Sequence, residues 1–120
     1  MKNMKWDVVV REVERRTAEP IIVSIYVYYD FDKCVVYRWY AAGTAVIECR
    51  EEEGKLTRIG SSIRVGESLF NEIVGRVRAT LVDEITGRGL FTAIIEVNDK
   101  IYAALIEEAV EELKALYPPK

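Results

Sequence analysis

The sequence offers few side chains from which a catalytic centre could be built. It contains no histidine, which excludes Ser-His-Asp and Cys-His nucleophilic sites, histidine metal ligation and imidazole acid–base catalysis. Its two cysteines, Cys34 and Cys49, are too few for a disulfide scaffold or a thiolate metal site, so we interpret them as free and mostly buried thiols. No phosphate-binding loop or calcium loop is present. We therefore predict no catalytic residue, no metal site and no cofactor, and no motif assigns the chain to a family.

One charged residue stands out because of its surroundings. Arg38 lies within the run Cys34 to Tyr40, which favours a strand, and a hairpin register that pairs Ile25 with Arg38 places the guanidinium among aliphatic side chains. A buried charge is costly unless it has a partner or a ligand. Arg38 and Tyr40 therefore indicate a candidate pocket between the sheet and its helices, near Glu48. This pocket is the basis of an alternative function, that of a small-molecule-binding protein or an enzyme.

Aromatic residues are concentrated in one part of the chain, since seven of the twelve fall between Tyr26 and Tyr40. If the turn Asp30 to Lys33 pairs Tyr29 with Cys34, one face of the hairpins is aliphatic and the other is aromatic with polar tips. Two helices can cover only one face, so the aromatic face must meet solvent, another subunit or a ligand. The predicted interaction face consists of Tyr26, Tyr28, Tyr37, Trp39, Glu48 and Arg50.

Three functions remain open, besides the interpretation that the aromatic pairs of that face merely stabilise a sheet in solvent. The principal prediction is a noncatalytic interaction domain that self-associates, most simply as a homodimer, or binds a protein partner through the face. The pocket at Arg38 and Tyr40 is the alternative. A single-stranded nucleic-acid platform is the second alternative, because bases stack on exposed rings. Nucleic acid is not favoured, since Glu48 counters Arg50 and the net charge is −3.

The elements that must position these residues follow from hydrophobic periodicity. Residues 5–16 favour a strand through their β-branched content, although Trp6, Val10 and Val13 also fit a helical stripe. Consecutive β-rich runs separated by short turns then predict an antiparallel meander. A period of three to four predicts helices on either side of one more strand. These segments are strands over 21–29, 34–40, 44–50, 56–59 and 90–97, and helices over 68–86 and after Asn98-Asp99. The predicted fold class is α+β, a two-layer domain with a meander of four to five strands followed by helix, strand and helix.

Bulk properties narrow the setting of the protein. A length of 120 residues predicts a single domain over 1–120. The longest apolar runs are far shorter than a membrane span needs, and the first residues lack the apolar region of a signal peptide, so we expect no membrane association and cytoplasmic residence. Glutamine is absent, Asn occurs three times and Arg exceeds Lys. That composition is typical of thermophile proteins, with an archaeal character.

Overall fold

Runs of β-branched and aromatic residues form six strands, and two amphipathic segments form helices, in a computed structural model that describes residues 5–30, 33–63 and 69–118. The elements are β1 (Lys5–Glu12), β2 (Ile21–Asp30), β3 (Lys33–Ala42), β4 (Ala45–Glu52), β5 (Lys55–Ile63), α1 (Leu69–Gly87), β6 (Leu90–Val97) and α2 (Lys100–Leu116). The α+β class and the order of meander, helix, strand and helix are confirmed. The segment that was ambiguous between strand and helix is strand β1.

All six strands belong to one sheet in the order β1-β6-β2-β3-β4-β5. β2 to β5 form the consecutive antiparallel hairpins that the sequence predicted. β6 lies between β1 and β2, parallel to the first and antiparallel to the second. The sheet is therefore mixed, and β1 is held at its edge by a strand that comes much later in the chain.

Glycines with positive φ close two of the hairpins. Gly54 has φ 79° and the preceding Glu53 has φ 53°, and this pair of left-handed residues matches the twist of the strands on either side. Gly43, with φ 62°, begins the other turn, and Ala42 pairs with Ala45. The loop is thus residues 43–44, and β4 begins at Ala45, one position later than the predicted strand 44–50.

Helix boundaries follow capping chemistry. Asp99 caps α2 by accepting hydrogen bonds from the backbone N–H groups of Ile101 (2.9 Å) and Tyr102 (3.0 Å). α1 ends at Gly87, and the residue that takes the left-handed conformation after it is Gly89, with φ 73°. The described helices include none that is both long and apolar enough to cross a membrane.

The hydrophobic core lies between the helices and one side of the sheet, which we call the covered face. Its central strands contribute Val23, Ile25 and Val27, and α1 contributes Ile73, Val77 and Leu81. The two helices touch through Phe70 and Tyr102, whose ring centroids are 4.4 Å apart. Trp6 of β1 donates a hydrogen bond to the carbonyl of Tyr117 at the end of α2 (2.9 Å), so the edge strand is tied to the helix layer.

The predicted register of the first hairpin is wrong by one residue. Tyr28, not Tyr29, pairs with Cys34, and Ile25 pairs with Tyr37, because an irregularity between Tyr28 and Asp30 absorbs one residue of β2. A shift of one residue turns every side chain of the partner strand to the other face. The side chains of β3 and β4 predicted to be outside are therefore inside, and the reverse.

β5 is longer than predicted, and much of it is exposed to solvent. Gly60, Ser61 and Ser62 lie beyond the predicted strand 56–59 but belong to β5, whereas residue 68, the predicted start of the helix, lies outside the described residues. Every residue of β5 from Lys55 to Ile59 is exposed. β4 pairs with one edge of this strand, and in the described part of the chain the helices pack mainly on other strands.

The corrected register gives Trp39 a structural role. Its side chain is fully buried (0% exposed) and its Nε1 donates a 2.6 Å hydrogen bond to Glu48. We expect Trp39→Phe to lower the free energy of unfolding by about 1 to 3 kcal/mol, because the partly buried carboxylate of Glu48 loses the hydrogen bond that it accepts from Trp39. Denaturant unfolding measures this. Leu116→Lys, at an exposed position of α2, should change stability by less than about 0.5 kcal/mol. Equal stabilities of Trp39→Phe and the parent would contradict this role.

Candidate interaction surface

The side of the sheet opposite the helices, which we call the open face, is rich in apolar and aromatic residues. The pairing of β6 with β2 and of β2 with β3 fixes its membership, because directly paired residues project to the same side. Near its centre it carries Tyr26, Val36 and Ile94 in neighbouring strands. Further apolar members are Val9, Ile22, Tyr28, Tyr40, Ile47, Leu56 and Leu90. Tyr28 is 39% exposed.

The six residues predicted to form one interaction face lie on two different faces. Tyr26 and Tyr28 are on the open face. Tyr37 and Trp39 lie beneath the helices on the covered face, as do Glu48 and Arg50, which pair with Trp39 and Tyr37 respectively.

Arg38 lies on the open face and is held by its neighbours. Its Nε donates to the hydroxyl of Ser24 and an Nη donates to the hydroxyl of Tyr26, both at 3.2 Å. The guanidinium also lies 5.9 Å from the centroid of the Tyr26 ring and 4.0 Å from a carboxylate oxygen of Glu51. The Tyr26 hydrogen bond, the largest influence, raises the pKa of Arg38. Arg38, predicted to be a charge among aliphatic side chains, is therefore a cation held by polar neighbours on the open face.

A shallow cavity of about 280 Å³ adjoins Arg38 and Tyr40 on the open face. Carboxylates from the loop after β1 and from β6 border it, namely Glu14, Glu19 and Glu96. The two residues of the predicted pocket are therefore brought together by the structure. The predicted place between sheet and helices is wrong, and Glu48 belongs to the other face.

Two carboxylates on the covered side connect α1 to the sheet, and the sequence patterns did not single out Glu84. Glu84 of α1 is only 7% exposed and accepts hydrogen bonds from the hydroxyls of Tyr29 (2.7 Å) and Tyr37 (2.9 Å). Glu48 of β4 accepts from Trp39 and lies 3.4 Å from an Nη of Arg76 in α1. The sequence did contain a signal for Glu84, because this residue follows Leu81 by three positions and therefore lies on the same side of the helix as the apolar stripe.

The electrostatics of the Glu84 cluster suit a structural role. Burial, followed by the hydrogen bond to Glu84, raises the pKa of both Tyr29 and Tyr37. Arg88 stacks over the Tyr29 ring at 3.9 Å and lies 3.7 Å from Glu84. The phenols remain neutral donors at physiological pH, so they are poorly suited to act as bases or nucleophiles.

Both cysteines are free thiols on the open face, as predicted for their chemical state. Cys34 pairs with Tyr28 and Cys49 pairs with Arg38, so the two cysteines are separated by four residues along β3, about 13 Å. Burial raises the pKa of Cys34, which keeps it a thiol rather than a reactive thiolate.

Among the residues that the structure describes, no group of three or more cysteine, aspartate or glutamate side chains is arranged to hold a metal ion. No protein-family model, curated protein or solved structure matches the chain. Its functional assignment therefore depends on the geometry of its surfaces.

The raised pKa values of Tyr29 and Tyr37 give a testable pH dependence. Their ordinary pKa is 10.0, so above about pH 10 the unfolded chain loses these protons while the folded chain keeps them. We expect stability from this cluster to be complete below pH 10 and to fall as pH rises further. Urea unfolding at several values from pH 9 to about 11 should show a shallower decline for a Tyr29→Phe, Tyr37→Phe double variant. Identical slopes would contradict this assignment.

Proposed function

We propose that this chain is a noncatalytic interaction module that self-associates, the open face of one copy packing on the open face of a second. The observation that carries the proposal is the number of apolar and aromatic residues on that face, Tyr26, Val36 and Ile94 among them, on the side of the sheet opposite both helices. Large contiguous apolar surfaces on a folded chain are characteristic of interaction sites.

The size of the open face matches what a stable dimer needs. Six strands about 4.8 Å apart, each with about eight residues rising 3.3 Å, give a face of roughly 600 to 750 Å². A standard specific interface buries about 800 Å² on each partner. A second copy can therefore cover the face almost completely, whereas a small ligand cannot.

The composition of the face also suits a two-fold interface. Charges of both signs are interspersed among its apolar residues, namely Arg11, Arg38, Glu51 and Glu96. In a two-fold arrangement each copy presents the same surface, so interspersed positive and negative groups can meet opposite charges. Tyr26 and Tyr28 offer rigid aromatic area of the kind that is enriched in binding hot spots.

Tyr28 is the best position for a test because it is partly exposed and its hydroxyl makes none of the hydrogen bonds that hold Arg38. We expect the parent to have a mass of twice 13.7 kDa in light scattering. Tyr28→Lys should raise the dimer dissociation constant about 10- to 100-fold, equivalent to about 1.4 to 2.8 kcal/mol. The matched control is Leu116→Lys, which places the same charge on an exposed apolar position of α2 and should leave the mass unchanged. A parent that is monomeric across the dilution series, or two variants with equal masses, would refute the proposal.

A second candidate function is recognition of a small zwitterion in the cavity beside Arg38 and Tyr40. The supporting observation is the meeting of one guanidinium with the carboxylates of Glu14, Glu19 and Glu96 in a space of about 280 Å³, which provides complementary charges for a carboxylate and an ammonium group.

Free amino acids are the probes for this second candidate. At ten times its dissociation constant a bound amino acid should stabilise the parent by about 1.4 kcal/mol, measured by thermal unfolding. Arg38→Gln should remove that stabilisation, and Lys100→Gln on α2 should retain it. Absence of a shift in the parent, or equal shifts in the parent and Arg38→Gln, would exclude this function.

A further inference from the structure

β5 is the last strand of the sheet, and none of the described residues pairs with its outer edge. Every residue from Lys55 to Ile59 is exposed, and two of them are large aliphatic residues, Leu56 (61% exposed) and Ile59 (49% exposed). A strand edge of this kind carries unpaired backbone groups and is a template for another strand. The opposite edge of the sheet differs, because α2 packs against β1.

The hairpin register identifies which backbone groups of β5 are free to pair. Glu52 and Lys55 close a two-residue turn, and Arg50 pairs with Thr57. In such a hairpin the closing pair exchanges both hydrogen bonds and every second pair does so. The N–H and C=O groups of Lys55 and Thr57 therefore point towards β4, while those of Leu56 and Arg58 point away from the sheet.

The free segment is short and has a defined end. The pairing of β4 with β5 is irregular between Glu48 and Cys49, where Ile59 is the extra residue of β5. A bulge interrupts the regular ladder and bends the strand. The regular edge is thus limited to Lys55 through Arg58, which admits an extended segment of about four residues.

The charged side chains of this edge favour a partner strand of opposite charge. Lys55 and Arg58 are the charged residues of the regular edge, and neither side chain makes an ion pair or hydrogen bond with the part of the chain that the structure describes. Pairing with β5 of a second copy would place these like charges in one seam, which is unfavourable. An incoming strand that carries carboxylates opposite them is favoured.

Apolar contacts are available on both sides of the same seam. Leu56 projects on the open face, where it pairs with Glu51. On the covered side, Ile59 contributes an aliphatic side chain to a cavity of about 360 Å³ whose other lining residues are polar or charged, namely Arg50, Glu52, Glu53, Lys55 and Thr57. An aliphatic side chain of an added strand can contact Leu56 on one side or this cavity on the other, since side chains of a strand alternate between faces.

We propose that β5 is an acceptor edge for an extended peptide segment of a protein partner, an aliphatic segment with two acidic residues three positions apart. One carboxylate then lies opposite Lys55 on the covered side and the other opposite Arg58 on the open side. Backbone hydrogen bonds to Leu56 and Arg58 supply the pairing, and Lys55 and Arg58 supply the preference for acid. This mode is β-strand addition, in which main-chain bonds give affinity and alternate side chains give selectivity. It uses the backbone edge of β5 and does not depend on the proposed self-association, although the side chains of Leu56 and Arg58 also belong to the open face.

The test uses a fluorescein-labelled peptide of eight residues that has Glu at positions 3 and 6 and Val elsewhere, with binding to the full chain followed by anisotropy up to about 1 mM peptide. We expect saturable binding that weakens at high salt. Leu56→Pro should weaken it at least 10-fold, because proline removes an outward N–H without affecting the bonds to β4. Retained urea stability of this variant shows that the fold persists.

A charge exchange distinguishes strand addition from general attraction. Lys55→Glu, Arg58→Glu should lose the Val/Glu peptide and bind a Val/Lys peptide instead, whereas Lys100→Glu on α2 should keep the preference of the parent. Failure of the parent to bind, or binding unaffected by Leu56→Pro, would overturn the proposal. A parent dimer that dissociates in Leu56→Pro but persists in Tyr28→Lys would also overturn it, by assigning the edge to a second copy.

Discussion

The pairing of Tyr28 with Cys34 in the first hairpin determines which side chains of the central strands lie beneath the helices. With this register, Tyr37 and Trp39 face inwards and meet Glu84 and Glu48. The same register turns Arg38 outwards, where it has polar partners. One irregular position in β2 therefore decides the composition of both faces of the sheet, including the open face on which the proposed function rests.

α1 is bound to the sheet by carboxylates as well as by its apolar stripe. Glu84 brings two tyrosines to one side chain of the helix, and Glu48 connects Trp39 to Arg76. Buried polar groups of this kind fix an orientation that apolar contacts alone leave adjustable, because each donor must find its acceptor. The rotation of α1 over the sheet is in this way specified by a few hydrogen bonds at its middle and at its end.

The elements of the fold were predictable, whereas the register was not. Periodicity identified α1, α2, β6 and the meander, since each has a clear spacing of apolar residues. The two sides of β3 are nearly equivalent by that criterion, because Val36 and Tyr40 alternate with Val35, Tyr37 and Trp39. Only Arg38 distinguished them, and its position among aliphatic residues was a signal of a wrong register rather than of a buried pocket. The insertion of β6 next to β1 could not be predicted, because it depends on pairing across most of the chain.

That insertion has a consequence for how the molecule forms. Lys5 pairs with Leu90, so β1 can join the sheet only after residues about 85 positions later have formed β6. The hairpins of β2 to β5, in contrast, close over short loops. During synthesis the meander can assemble while one edge of β2 has no neighbour. β6 then enters a gap between two strands that already exist, and its arrival completes the pairing of both. We expect this late step to limit the folding rate. Before it, β2 has an unpaired edge, and the chain is then most susceptible to pairing that edge with a wrong strand.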